Sequence, residues 1–167
     1  MAQYRCPICE RVSDLPNSPI DETEAKDRIF VAMWFDSALD PVYDKAISHA
    51  ISNAGYQPIR IDRDRAYVNL IDHQITDQIR RSKCMIADLT HGPDGVRGSV
   101  LYEAGYAHGC GIPVIFTCHR ERTGTIPFDI NHYPYISWDE EDVSEYWHQL
   151  VHAILDTVGI GPAFWDD

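Results

Sequence analysis

From residue 28 onward the spacing of apolar positions switches repeatedly between two periods. Ile29-Phe30-Val31-Ala32-Met33 is an unbroken apolar run, the pattern of a strand covered on both faces. Val42, Ala46, Ile47, Ala50, Ile51 and Ala54 then recur at helical spacing. Asp40 is placed to cap that helix, Pro41 to open it and Gly55 to stop it. The alternation continues. Residues 56–62 predict a second strand, which Pro58 assigns to a sheet edge. Asn69 is placed to cap a helix carrying Ile71, Ile75 and Ile79. Residues 84–88 predict a third strand, and Ser99 is placed to cap a helix over 100–110 that Gly111 ends. Residues 113–117 and 135–138 predict two more strands. A last helix over about 142–157 buries Val143, Trp147, Leu150, Val151, Ile154 and Leu155 before Gly159.

Strands alternating with helices require parallel pairing and right-handed crossovers. The expected fold is α/β: a doubly wound, flavodoxin- or Rossmann-like parallel sheet of five strands, order 2-1-3-4-5, with helices on both faces. Ligands of such sheets sit beyond the carboxyl ends of the strands, at the switch in strand order. Residues 33–36, 62–64, 88–90 and 117–119 fall there, and three of these four ends carry carboxylates. Residues 1–27 lack a sustained period and read as an appendage and linker, leaving 28–167 as the α/β domain.

Composition narrows the partners. A net charge of −12 over 167 residues argues against a nucleic-acid polymer, whose phosphates would be repelled. It leaves room for a small anion, since Arg60, Arg63, Arg65, Arg80, Arg81 and Arg97 cluster centrally and helix N-termini attract anions. No apolar run reaches membrane-spanning length, and residues 1–9 do not resemble a secretory signal, so the expectation is no membrane partner and a cytoplasmic location. Five cysteines without a secretion signal make a poor disulfide framework, and Cys84 reads as a small core residue. Cys6 and Cys9 have the spacing of half a zinc knuckle. Two readings stay open: a structural zinc completed by Cys118 and His119 or by a second chain, and a vestigial ribbon.

The segment from Asp88 to His108 holds the densest candidate chemistry. Gly92, Gly95 and Gly98 let a ligand approach the backbone. Ser99 and the first helical amides could hold an anion, and the helix N-terminus would favour the ionised form of Glu103, one turn further on. A fixed carboxylate suits attack at a sugar C1, or stabilisation of an oxocarbenium ion, and Asp88 or Asp62 could hold a ribose hydroxyl or protonate the leaving base. Tyr102 and Tyr106 are placed to orient Glu103, while Arg63 follows Asp62 at the end of the second strand. Met33, Trp34 and Phe35 could wall a base pocket. The plainer readings are also physical. A glutamate near a helix start commonly serves the helix dipole, and large apolar residues after a strand are commonly core.

The segments IFVAMWF, DRD, IADLT and SVLYEAGYAHGCGIPVI resemble the nucleoside 2-deoxyribosyltransferase-like superfamily, which includes nucleotide N-glycosidases and is related to TIR domains. The likeness covers residues 28 to about 118, and YEAGYA is its most specific part. It implies that Glu103 is the nucleophile at the anomeric carbon, with Asp88 and Asp62 as its acidic partners. It further implies a nucleoside or nucleotide substrate, no cofactor needed for catalysis, and a homo-oligomer. The chain departs from that pattern at Arg97, where an aspartate or serine commonly stands six residues before the glutamate; Ser99 lies four before it. The expected function is N-glycosidic bond cleavage or (deoxy)ribosyl transfer. The alternatives are a nucleotide-sensing module without turnover and a TIR-like NAD glycohydrolase.

Overall fold

The computed structural model describes residues 3–5, 12–14, 26–61 and 71–165. Two short strands, β1 (Gln3–Arg5) and β2 (Val12–Asp14), pair antiparallel. The main sheet comprises β3 (Arg28–Ala32), β4 (Gln57–Ile59), β5 (Cys84–Asp88), β6 (Val114–His119) and β7 (Tyr135–Trp138). All its pairings are parallel, in the spatial order β4-β3-β5-β6-β7. That is the expected 2-1-3-4-5 arrangement, with Pro58 on an edge strand.

Alternation along the strands divides the core in two. Ile29, Val31, Met33, Cys84, Ile86 and Ile115 face one layer, packed by Ala46, Ile47, Ala50, Ile51, Leu150 and Ile154. Phe30, Ala32, Met85, Ala87, Phe116 and Cys118 face the other, packed by Ile79, Val100, Ala104 and Ala107. The strands read as continuous apolar runs because helices cover both faces. The first layer is built by α1 (Asp40–Val42), a π-helical turn (Tyr43–Ile47), α2 (Ser48–Asn53) and α5 (Val143–Val158). The second is built by α3 (Ile71–Arg81) and α4 (Gly98–Gly109). Each large side chain fully removed from water contributes roughly 1.5–3 kcal/mol. No described helix is long and apolar enough to cross a membrane.

Several boundaries move. Leu39, not Asp40, holds the cap position of α1; Asp40 lies inside the helix, and its carboxylate pairs with Arg60 at 3.1 Å. The second strand is shorter than 56–62. The fourth runs on to His119. Asn69 lies outside the described residues. Gly55, Gly111 and Gly159 all have positive φ, so each stop falls where the sequence puts it.

The chain end is clipped onto the α2–β4 turn. Gly161 N donates to Ala54 O at 2.7 Å, Ala163 N donates to Gly55 O at 3.2 Å, and the Tyr56 hydroxyl donates to Val158 O at 3.1 Å. A Cβ on Gly161 would stand 2.2 Å from the Gly55 carbonyl oxygen, so backbone would have to move. Gly161→Ala is therefore expected to cost about 1–3 kcal/mol. That is a fall of several degrees in Tm, read by thermal unfolding; an unchanged Tm would show that this clip contributes nothing.

Candidate functional site

Asp88 ends β5, the middle strand of the sheet, and is almost wholly buried. A carboxylate there requires donors, and three elements supply them. Thr117 of β6 donates its hydroxyl to Oδ2 at 2.5 Å, and Trp138 of β7 donates Nε1–H to the same oxygen at 2.9 Å. The Thr90 amide donates to Oδ1 at 3.0 Å. Burial pushes the Asp88 carboxyl up, and these hydrogen bonds oppose that shift. Trp138 in turn stacks on Tyr146 of α5, with ring centroids 5.6 Å apart.

The loop after Asp88 is fixed residue by residue. Leu89 N donates to Thr117 O at 2.7 Å, and the Thr90 hydroxyl accepts from His119 N at 2.8 Å. The buried His91 ring lies between Gly92 O at 2.6 Å and the Thr125 hydroxyl at 2.8 Å. Gly92 is needed for space: a Cβ there would lie 2.8 Å from the Trp34 ring. Trp34 follows β3, so this loop and the segment after β3 meet over the crevice where strand order switches. The Arg97 guanidinium closes the contact, 5.0 Å from the Trp34 ring centroid.

Arg97 is also the cap residue of α4, and its side chain makes no capping bond. Ser99, expected as the cap, lies inside the first turn with Gly98, both exposed. Glu103 sits one turn later, half-buried, with no hydrogen bond or ion pair among the described residues. Burial raises its carboxyl to about 7. The sequence predicts the opposite direction. The helix dipole acts within about the first turn, and Glu103 is past it, so lost hydration decides the outcome.

The other expected residues separate. Met33 does not wall a pocket: strand alternation turns it into the core with Ile29 and Val31. Trp34 is half-buried between Gly92 and Arg97, and Phe35 is exposed, its ring 5.6 Å from the Arg60 guanidinium. Tyr102 is 67% exposed, and the Tyr106 hydroxyl engages Arg80 and Cys110 rather than Glu103. Asp62, Arg63, Cys6 and Cys9 lie outside the described residues. Cys118 is buried among apolar neighbours with its thiol pushed up to about 12, and His119 Nε2 lies 2.9 Å from a Glu140 carboxylate oxygen. No cluster of three metal-ligating side chains occurs among the described residues. Trp138 and His91 were not legible as site residues, and Thr117 was legible as a strand end but not as a partner of Asp88. Their partners lie 50, 34 and 29 positions away in sequence.

No family model matches the chain, and no curated protein matches it in sequence. Solved structures do share its fold. One is a CMP N-glycosidase from Clostridium botulinum, with TM-score 0.54 and 17% identity, covering 75% of this chain and 98% of that one. A second is a 2-deoxyribosyltransferase from Leishmania mexicana, with TM-score 0.53 and 16% identity, covering 74% of this chain and 97% of the other. A third is a TIR-STING receptor from C. gigas in complex with 2′,3′-cGAMP, with TM-score 0.52 and 12% identity, covering 74% of this chain and 39% of that one. At such identities the likeness establishes the fold, and it is the fold that the motif resemblance implies.

Two outcomes follow from this geometry. In Asp88→Asn the new amide must turn its N–H groups toward at least one of three donors, leaving a buried mismatch. The expected loss is about 2–4 kcal/mol in chemical denaturation; a loss below 0.5 kcal/mol would contradict the central place given to this carboxylate. For Glu103, the folded state retains a proton that the unfolded chain releases between pH 4.5 and about 7. Its burial therefore lowers stability as pH rises through that window. Glu103→Gln should match the parent at pH 4 and exceed it at pH 8, by on the order of 1–3 kcal/mol. A stability difference that is constant with pH would refute the assigned environment.

Proposed function

We propose that the protein breaks, or transfers across, the N-glycosidic bond of a nucleoside or nucleotide, with Glu103 as nucleophile. The observation that carries this reading is an unpartnered, half-buried carboxylate one turn into the helix that follows the central strand-end loop. Such a group is partly desolvated and, among the described residues, has no competing cation. Its attack on a cationic centre therefore recovers electrostatic energy that solvation would otherwise have absorbed. Two of the solved structures that share this fold are named for reactions of this class.

In the proposed sequence a Glu103 oxygen bonds to C1′ as the C1′–N bond breaks. The base departs with the electron pair and takes up a proton. Water then attacks the glycosyl ester at C1′, returning the electron pair to Glu103 and losing a proton; a second base in place of water gives transfer. Trp34, at the crevice, supplies an aromatic face for the base. Asp88 acts as a positioning residue, holding the loop that leads to Arg97 and α4. The sugar contact expected of Asp62 stays part of the reading.

Incubation with nucleosides, their 5′-monophosphates and NAD, followed by chromatography for free base, tests it. Base release is expected from at least one nucleoside or nucleotide. The rate should fall as pH drops below about 7, because the attacking form is the carboxylate. Glu103→Gln should lower it by about 10³-fold or more with the fold retained. Release from NAD alone would favour the glycohydrolase alternative, and binding without any release would favour a sensor.

A further inference from the structure

Tyr146 carries a hydroxyl that the fold does not use. The residue sits on α5 at 2% exposure, in the core layer of Leu150, Ile154, Ile86 and Ile115. Its ring stacks on Trp138, 5.6 Å away, the same indole that donates to Asp88. Its Oη is buried and makes no hydrogen bond among the described residues. A hydroxyl buried in that state costs free energy, and phenylalanine would fill the space and keep the stacking without it. The surroundings of the hydroxyl are specific. Thr117 Oγ1 and the Asp88 carboxylate lie near it, with hydrogen-bond geometry to neither. Burial first, and the charge of Asp88 after it, hold the Tyr146 phenol well above its ordinary range, so it keeps its proton. Thr117 Oγ1 gives its one proton to Asp88 Oδ2 at 2.5 Å, which leaves its lone pairs open. A donor without an acceptor thus stands beside an acceptor without a donor, and a small rotation joins them.

We infer that Tyr146 is a positioning residue whose hydroxyl closes a hydrogen-bond relay, Tyr146 to Thr117 to Asp88, when the buried carboxyl is ionised. Bonds to a charged oxygen are the strong ones, and each bond in a chain polarises the next. A neutral carboxyl draws far less on Thr117, so the relay opens. The titratable groups facing this cluster are Cys118 from β6 and Tyr146 itself from α5, and neither is a cation. Arg122, on the turn after β6, acts on Cys118, and the bonds that favour ionised Asp88 come from Thr117, Thr90 and Trp138, all neutral. Tyr146 adds a further neutral donor at one remove. Asp88 anchors the loop that leads to α4, so its charge state is passed to the segment that carries Glu103. This role holds whether or not Glu103 attacks a sugar.

The test follows the Asp88 carboxyl carbon by NMR as pH is varied across the range in which the full chain stays folded. Tyr146→Phe is expected to move the ionisation midpoint of Asp88 to higher pH, because the charged form loses a donor. With Thr117→Val already in place, adding Tyr146→Phe should move it no further. Stability gives a second reading with a sign. Where Asp88 is neutral, Tyr146→Phe should match or exceed the parent, since it removes only an unused hydroxyl. Where Asp88 is ionised, the folded-to-unfolded ratio should fall below the parent's by about 2- to 10-fold. Should Thr117→Val not fold, Thr117→Ser keeps the hydroxyl and should keep the full effect of Tyr146→Phe. In the parent chain alone, the Tyr146 Cζ resonance should shift in step with Asp88. An Asp88 midpoint unmoved by Tyr146→Phe, an equal shift with Thr117→Val in place, or no ionisation of Asp88 in the folded chain would each overturn the inference. Absence of base release in the parent chain bears on the glycosidase reading alone and leaves these titrations to decide the relay.

Discussion

A carboxylate at the end of the innermost strand cannot be left without donors, and much of this fold is arranged around meeting that demand. Asp88 lies between β3 and β6 with helices on both faces, so water cannot solvate it. Its donors come from β6, from β7 by way of an indole, and from the loop two residues on. Those three bonds set the spacing of the sheet's carboxyl edge and the direction in which the chain leaves it. That direction determines where His91, Gly92 and Arg97 fall, and so where α4 begins. Glu103 inherits its position from this chain of contacts.

How much of this is legible in sequence depends on the range of each interaction. The strands are legible because burial on both faces makes them continuously apolar, and the helix stops because glycine alone takes positive φ cheaply. Met33 is legible in retrospect: it shares odd-numbered alternation with Ile29 and Val31, which sends it into the core. Asp88 is legible as a strand end, but its engagement is not. The residues that bind it lie 29 and 50 positions away, and nothing local in Thr117 or Trp138 marks them. Ser99 misleads for a different reason. A serine before an apolar run fits a cap, but the extended backbone falls at Arg97, and Gly98 already enters the helix.

Glu103 shows two effects competing, and magnitude deciding between them. A helix N-terminus stabilises a negative charge by about 0.3–1 kcal/mol, and mainly within the first turn. Partial burial without a hydrogen-bond donor acts on the whole charge and extends to any depth in the helix. The second wins, which is why the carboxyl rises to about 7 instead of falling. A carboxylate so placed is about half ionised at neutral pH and weakly solvated when ionised. Both properties suit the proposed nucleophile, which would bond to carbon in one step and leave it in the next.

The acidity of the whole chain and the cation at its crevice are compatible because they act over different distances. At physiological ionic strength the Debye length is about 8 Å, so carboxylates scattered over the far surface contribute little at the crevice. On the proposed reading, what a ligand would meet there is set by the nearest groups: the Arg97 guanidinium on an indole, the amide end of α4, and a glutamate inclined to hold its proton. Net charge therefore bears on long polyanions, which span many Debye lengths, and bears little on a ligand the size of one nucleotide. The sign of the site is local, and it is fixed by the same loop that Asp88 anchors.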